Sequence, residues 1–227
     1  MKQKFTILFD LDGTLVDTAP DLMRAHNHVM KKFGYPTKST EEIRNLVGQG
    51  AGAMLGRSIW GQAKKEFGKV QDEKVKKEMV KDFVDFYGKN IINESTLIKG
   101  VKEFLIWSKE NNISMAVCTN KQEHLAIDLL KKIGIYDFFE YVAGSDTFDY
   151  CKPDPRHLTN VVEILDGDIK KTIMIGDSET DANAAKAAEI PVILLENGYT
   201  EKNTTEIYHN HLIKDFIGIE KIITKYL

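Results

Sequence analysis

The stretch Phe5-Thr6-Ile7-Leu8-Phe9-Asp10-Leu11-Asp12-Gly13-Thr14 decides how the rest of the chain is read. Five β-prone, mostly apolar residues run straight into two aspartates and a glycine. An apolar run with no polar alternation reads as a strand buried on both faces, as in a parallel sheet. It is too short for the apolar core of a signal peptide and stops at an acidic residue, so no leader is expected. Parallel sheets place their chemistry at the carboxyl ends of the strands, which directs attention to Asp10 and Asp12.

The remainder supports that reading. From about Ile98 the chain alternates: a helix at Val101–Glu110, a strand at Ile113–Cys118, a helix at Glu123–Ile133 and a strand at Tyr141–Ala143. A helix at Pro155–Leu165, a strand at Thr172–Ile175, a helix at Asp181–Ala188 and a strand at Val192–Leu195 follow. This spacing implies crossover units and hence an α/β fold with a parallel sheet. Between Val16 and Asn90 no strand pattern appears. Leu22, Met23, His26, Val29, Met30 and Phe33 recur at helical spacing until Gly34-Tyr35-Pro36. Ser39 or Thr40 is placed to cap a short helix. Val75, Met79, Phe83, Phe86 and Tyr87 form the apolar stripe of a longer helix ending near Gly88. The expected organisation is an α/β core of residues 1–15 and 91–227, with a helical block, 16–90, inserted after the first strand. At about 150 residues per domain, 227 residues make an awkward one and a half domains, and the inserted block supplies the half.

Bulk composition excludes several classes. Lys and Arg number 31 against 34 Asp and Glu, a net charge of −3, which argues against a nucleic-acid partner or a polybasic membrane surface. A hydrophobic fraction of 42% is too high for a disordered chain. No run approaches the 18 or so apolar residues of a membrane span. Two cysteines, Cys118 and Cys151, make neither a disulfide framework nor a Cys-rich zinc site, and the histidines show no metal-ligand spacing. A cytoplasmic protein is expected; its oligomeric state is left open.

Four strand ends carry chemically able residues: Asp10-Leu11-Asp12-Gly13-Thr14, Thr119-Asn120-Lys121, Cys151-Lys152-Pro153, and Gly176-Asp177-Ser178-Glu179-Thr180-Asp181. In one parallel sheet they meet at one edge. Asp10, Asp12, Asp177 and Asp181 are then like charges in need of a counter-charge. A hard divalent cation with oxygen ligands, such as Mg²⁺, supplies it and leaves room for a phosphate. Lys152, the Thr119 hydroxyl and the amides around Asn120 and Gly13 complete an anion site. A carboxylate there can also act as a nucleophile on phosphorus. Each piece alone has a plainer explanation: Asp12-Gly13 and Gly176-Asp177 as turns, Thr119-Asn120 as a helix cap, Lys152-Pro153 as a solvated loop. Their joint order overrides these.

With those residues in place, the sequence resembles the haloacid dehalogenase (HAD) superfamily, whose four motifs match Asp10–Thr14, Thr119, Lys152 and Gly176–Asp181. The resemblance implies a Rossmannoid parallel-sheet core with an inserted C1-type α-helical cap, and a Mg²⁺-dependent phosphomonoester phosphatase that works through an aspartyl phosphate. It implies that Asp10 is the nucleophile and Asp12 the acid and base. Thr119 and Lys152 bind the transferring phosphoryl group, with Asn120 beside them. Mg²⁺ is held by the Asp10 side chain, the Asp12 backbone carbonyl and Asp177, and Asp181 supports the metal's water or orients Lys152. Asp12 separates this chain from dehalogenases and phosphonate hydrolases, which lack it. Mutases resembling β-phosphoglucomutase keep that aspartate but commonly carry a bulkier apolar residue where this chain has Thr14. A non-catalytic phospho-aspartate switch is the rival from another class; Asp12 opposes it by hydrolysing the phosphorylated form.

The segment Glu41–Ala51 and the run Asp17–Leu22 resemble phosphoglycolate phosphatases, which implies 2-phosphoglycolate or another small organic phosphate as substrate. Gly48 and Gly50 would let the cap backbone approach it. Arg44 or Arg57 would pair with its carboxylate, unless they are merely solvated helix residues. Gly48-x-Gly50-x-x-Ala53 mimics a dinucleotide fingerprint but follows a helical pattern, not a strand. Cys118 and Cys151 directly precede Thr119 and Lys152; inert packing is the favoured reading, oxidation-sensitive flanks the alternative.

Overall fold

The computed structural model describes residues 4–60 and 73–227. The side chains of residues 60–75, including Val75 of the expected stripe, lie outside that description, as does the 61–72 part of the expected cap.

Six strands form one parallel sheet: β1 (Thr6–Phe9), β4 (Ser114–Cys118), β5 (Tyr141–Ala143), β6 (Thr172–Gly176), β7 (Val192–Leu195) and β8 (His211–Ile213). Their spatial order is β5-β4-β1-β6-β7-β8. All four residues of β1 are buried. Ile7 and Phe9 enter a core on one face with Met115, Val117, Ile173 and Ile175, while Leu8 enters the opposite core with Ala116, Cys118 and Met174. Helices cover both faces, so polar alternation in the central strands has no place. On the first face lie α5 (Val101–Glu110) and α6 (Glu123–Ile133); on the second lie α7 (Arg156–Ile164) and α8 (Glu179–Ala187).

Register places the site. Phe9 lies level with Val117 on one side and Ile175 on the other. Asp10, Thr119 and Asp177 therefore leave the sheet side by side. From β1 the chain proceeds to β4 and β5 on one flank, then crosses to β6 and β7 on the other. Asp10 and Asp177 thus emerge at the point where the winding reverses, the usual ligand crevice of an open α/β sheet.

The inserted block holds α1 (Ala19–Phe33), α2 (Thr40–Arg44), α3 (Ala51–Trp60) and α4 (Glu73–Lys89), with α1 packed on α2 and α4, and α3 on α4. Ser39 is the cap of α2: it accepts from the Glu42 amide, and the Glu42 carboxylate accepts from the Ser39 amide.

One expectation is corrected. The stretch from Val16 is not strand-free: β2 (Val16–Asp17) pairs antiparallel with β3 (Thr96–Leu97), a two-residue ribbon that joins the passage out of β1 to the passage into α5. Such a short ribbon has no periodicity to read. Nearby, buried Asp21 accepts from the Glu94 and Ser95 amides and the Ser95 hydroxyl, tying the two passages together. The sheet also has a strand that the sequence reading did not include: β8, whose three residues are half-buried, pairs with β7.

Candidate active site

Asp10, Asp177 and Asp181 converge, each offering a carboxylate oxygen within 4.8 Å of the others, and all three are buried. Lys152 joins them from the loop after β5. Its Nζ donates to Asp10 Oδ1 at 2.8 Å and Asp181 Oδ1 at 2.6 Å. Burial pushes the Asp10 carboxyl up to about 6; Lys152 opposes this, and Asp181 and Asp12 add to it. Burial, then the charges of Asp10 and Asp181, push Asp177 well above the ordinary carboxylate range. Burial lowers Lys152, but Asp10 and Asp181 more than offset it and hold its ammonium firmly protonated.

Asp181 has a second task. Its Oδ2 accepts from the Ser178 hydroxyl at 2.8 Å and from the Asp177 and Ser178 amides, both at 3.1 Å. It closes the capping box of α8 and also fixes Lys152. Asp177 Oδ2 accepts from the Tyr199 amide at 2.6 Å.

The Asp12 carboxylate stands outside that trio. It accepts from the Thr18 hydroxyl at 2.7 Å, and Lys121 Nζ lies 2.7 Å from both of its oxygens. Thr119 is buried, its amide bonded to Ala143 O. Asn120 bridges the two halves of the molecule: its Nδ2 donates to Gly48 O at 3.0 Å and to Lys152 O at 2.9 Å. Asp10, Asp12, Thr119, Asn120, Gly48 and Gly50 all line one cleft between the sheet edge and the inserted helices.

Arg44 and Arg57 are not on that cleft. Arg44 donates to Asp17 Oδ2 at 2.7 Å, and its guanidinium lies 5.4 Å from the centre of the Tyr199 ring. Arg57 donates to the Leu46 and Val47 carbonyls. Both are structural ties within the inserted block and its base. The cysteines are held as thiols: burial pushes Cys118 up to about 12 and also raises Cys151, so the reactive thiolate is scarce at neutral pH.

A family model of haloacid dehalogenase-like hydrolases matches residues 7–195, a span that carries all of these side chains except Tyr199. The chain belongs to the haloacid dehalogenase-like hydrolase family. Within the family it is similar to a phosphoglycolate phosphatase of Mesorhizobium japonicum, at 37% identity over 92% of this chain and 90% of that one. A phosphoglycolate phosphatase of Caulobacter vibrioides is 38% identical over 95% and 89%. A crystal structure described as a predicted phosphoglycolate phosphatase from Haemophilus somnus superposes with a TM-score of 0.88 at 31% identity, covering 98% of this chain and 99% of that one.

The residues of this haloacid dehalogenase-like hydrolase suit Mg²⁺. Four carboxylates, Asp10, Asp12, Asp177 and Asp181, face two ammonium groups, Lys121 and Lys152. The imbalance of two negative charges, in a buried site of oxygen donors, matches a hard divalent cation. Gly13 makes room for the Asp177 carboxylate. Its φ is +84°, and a Cβ there would lie 2.2 Å from Asp177 Oδ2 and 2.9 Å from the Tyr199 ring. Gly13→Ala is expected to displace Asp177 and raise the half-saturating Mg²⁺ concentration at least about tenfold, the scale on which disturbing a metal ligand's support lowers affinity. A Mg²⁺ titration of activity checks it; an unchanged midpoint contradicts it.

Three residues of the site had no assigned role in the sequence. Lys121 was visible as the third residue of a strand end, yet its contact with Asp12 spans 109 positions. Tyr87 Oη, on α4, accepts from Lys121 Nζ at 3.1 Å. Tyr199 holds Asp177 with its amide, and its hydroxyl donates to Asp17 and accepts from the Ala19 amide. The apolar stripe of α4 marks Tyr87 only as a packing residue, and no local pattern marks Tyr199.

Proposed function

We propose that this chain is a Mg²⁺-dependent phosphomonoester phosphatase whose preferred substrate is 2-phosphoglycolate. The observation that carries the reading is the buried Asp10–Asp177–Asp181 trio crossed by Lys152, with Asp10 and Asp12 together lining the cleft. Asp10 attacks phosphorus, forming a carboxyl–phosphorus bond as the bond to the ester oxygen breaks. Asp12 gives its proton to that leaving oxygen. It then takes a proton from the water that attacks phosphorus and returns Asp10 to a carboxylate. Lys152 and Thr119 balance charge on the phosphoryl oxygens. The Asp10 side chain, the Asp12 carbonyl and Asp177 would hold Mg²⁺, which would supply positive charge to the phosphoryl oxygens when bound.

Residues 16–90 act in this reading as a cap on the 1–15 and 91–227 core. The β2–β3 ribbon at its base and the Asn120–Gly48 bond across the cleft support that role. Closure excludes water from the reacting centre. The cleft holds about 170 Å³, small beside the roughly 300–1,000 Å³ of pockets for drug-sized ligands. That size favours a small ester over a nucleotide, as do the named phosphoglycolate phosphatases among the relatives. No helix among the described residues is long and apolar enough to cross a membrane, and both cysteines are unpaired; a cytoplasmic site of action agrees with both.

Phosphate release from 2-phosphoglycolate, sugar phosphates, nucleotides and pyrophosphate tests the proposal. Highest kcat/KM is expected for 2-phosphoglycolate. Activity is expected to fall to background in EDTA and to return with Mg²⁺. Failure to release phosphate from every ester, or full activity in EDTA, contradicts it.

A further inference from the structure

We infer that Lys121, assisted by Tyr87, receives the carboxylate of the substrate's leaving group and thereby sets specificity for carboxylate-bearing phosphate esters. This rests on the phosphatase reading and adds to it the residue that recognises the non-phosphate end.

Three observations converge. Among the described residues lining the cleft, Lys121 is the one cation; of the arginines of the inserted block, Arg24 pairs with Asp21 and Glu94, Arg44 with Asp17, and Arg57 with backbone carbonyls. Lys121 Nζ is 2.7 Å from both oxygens of Asp12, the group that protonates the leaving oxygen. In a phosphoglycolate the carboxyl carbon is bonded to the same carbon as the ester oxygen. The donor of that proton and the receptor of that carboxylate must therefore be neighbours, as Asp12 and Lys121 are. Finally, Tyr87 Oη accepts from Lys121 at 3.1 Å, which leaves the phenol's own O–H as a donor. An ammonium that grips both oxygens of one carboxylate can turn one N–H to a second carboxylate and still hold the first. Tyr87 lies on α4, so this receptor is assembled from both halves of the molecule.

The alternative is that Lys121 merely positions Asp12. The two differ in a ratio: kcat/KM for 2-phosphoglycolate over kcat/KM for 2-hydroxyethyl phosphate, which carries CH₂OH in place of the carboxylate. Wild type is expected to favour the carboxylate ester by about 100-fold or more, as a site built around a paired polar group discriminates. Lys121→Met lowers both rates, because Asp12 loses its partner, and collapses the ratio to within about tenfold of unity. Tyr87→Phe, which keeps the ring, lowers the ratio by roughly tenfold, the scale of one hydrogen bond to a charged group. Lys121→Arg retains more of the ratio than Lys121→Met and keeps the test decisive if the methionine variant does not fold. Arg44→Met keeps the wild-type ratio. A Lys121→Met enzyme that loses both activities equally and keeps its ratio overturns the inference alone. A wild-type enzyme with no preference overturns both the inference and the 2-phosphoglycolate reading.

Discussion

Asp10→Asn is expected to lower phosphate release by at least about 10⁴-fold, the scale on which removal of a covalent nucleophile acts, while leaving the fold intact. Asparagine has nearly the same shape but no anionic oxygen to attack phosphorus. The fold should tolerate it because the Asp10 charge is unfavourable where it stands: burial pushes its carboxyl up to about 6, with Asp181 and Asp12 adding to the effect. A neutral amide relieves part of that repulsion. Lys152 keeps Asp181 at 2.6 Å as a counter-charge. The melting temperature should therefore match or exceed that of wild type in metal-free buffer. Steady-state phosphate release and a thermal melt check the two halves separately. Wild-type turnover in Asp10→Asn removes the mechanism. Lost turnover with a collapsed melt leaves chemistry and folding confounded, and mass detection of a phosphorylated wild-type chain, absent from Asp10→Asn, then decides the nucleophile.

The parts of this molecule legible in the sequence are those that depend on one strand and its loop. Ile7–Phe9 is apolar throughout because β1 has neighbours on both sides and helices on both faces, and that rule writes itself into consecutive residues. Asp10, Thr119, Lys152 and Asp177 stand out because each follows a strand or lies in the loop after one. Their meeting follows from the parallel register alone. The pairings that finish the site are of another kind. Lys121 reaches Asp12 and Tyr87, and Tyr199 reaches Asp177 and Asp17, across many positions and between separate elements. Such contacts exist only after packing and leave no periodic trace. Arg44 shows the converse. Its charge and its glycine-rich surroundings suggested a ligand, but a lone arginine does not declare its partner, which is Asp17 in the folded chain. The β2–β3 ribbon and β8 escaped for want of length, at two and three residues.

Lys152→Met is expected to damage stability and activity together. Lysine and methionine occupy similar space, so packing is conserved and the change is chiefly electrostatic. Lys152 is 3% exposed and is bonded to both Asp10 and Asp181. Its removal leaves buried carboxylates facing one another without the ammonium between them. Breaking a buried pair by deleting one partner costs about 3–5 kcal/mol, because the surviving charge stays desolvated. For a chain of this size about 3 kcal/mol corresponds to a fall of roughly 6–12 °C in melting temperature. Turnover should drop at least about 10²–10³-fold, as for loss of one donor to a charge that develops in the transition state. The electrostatic origin can be isolated by a double-mutant cycle. If the defect is an uncompensated carboxylate, Asp10→Asn should restore part of the stability lost in Lys152→Met, so the two changes do not add. Added Mg²⁺ should likewise raise the melting temperature of Lys152→Met, since a cation bound only by the folded state stabilises it by mass action and here replaces a missing positive charge. A Lys152→Met protein that melts with wild type, or one that Asp10→Asn destabilises further by its full separate amount, shows that Lys152 does not hold these carboxylates together.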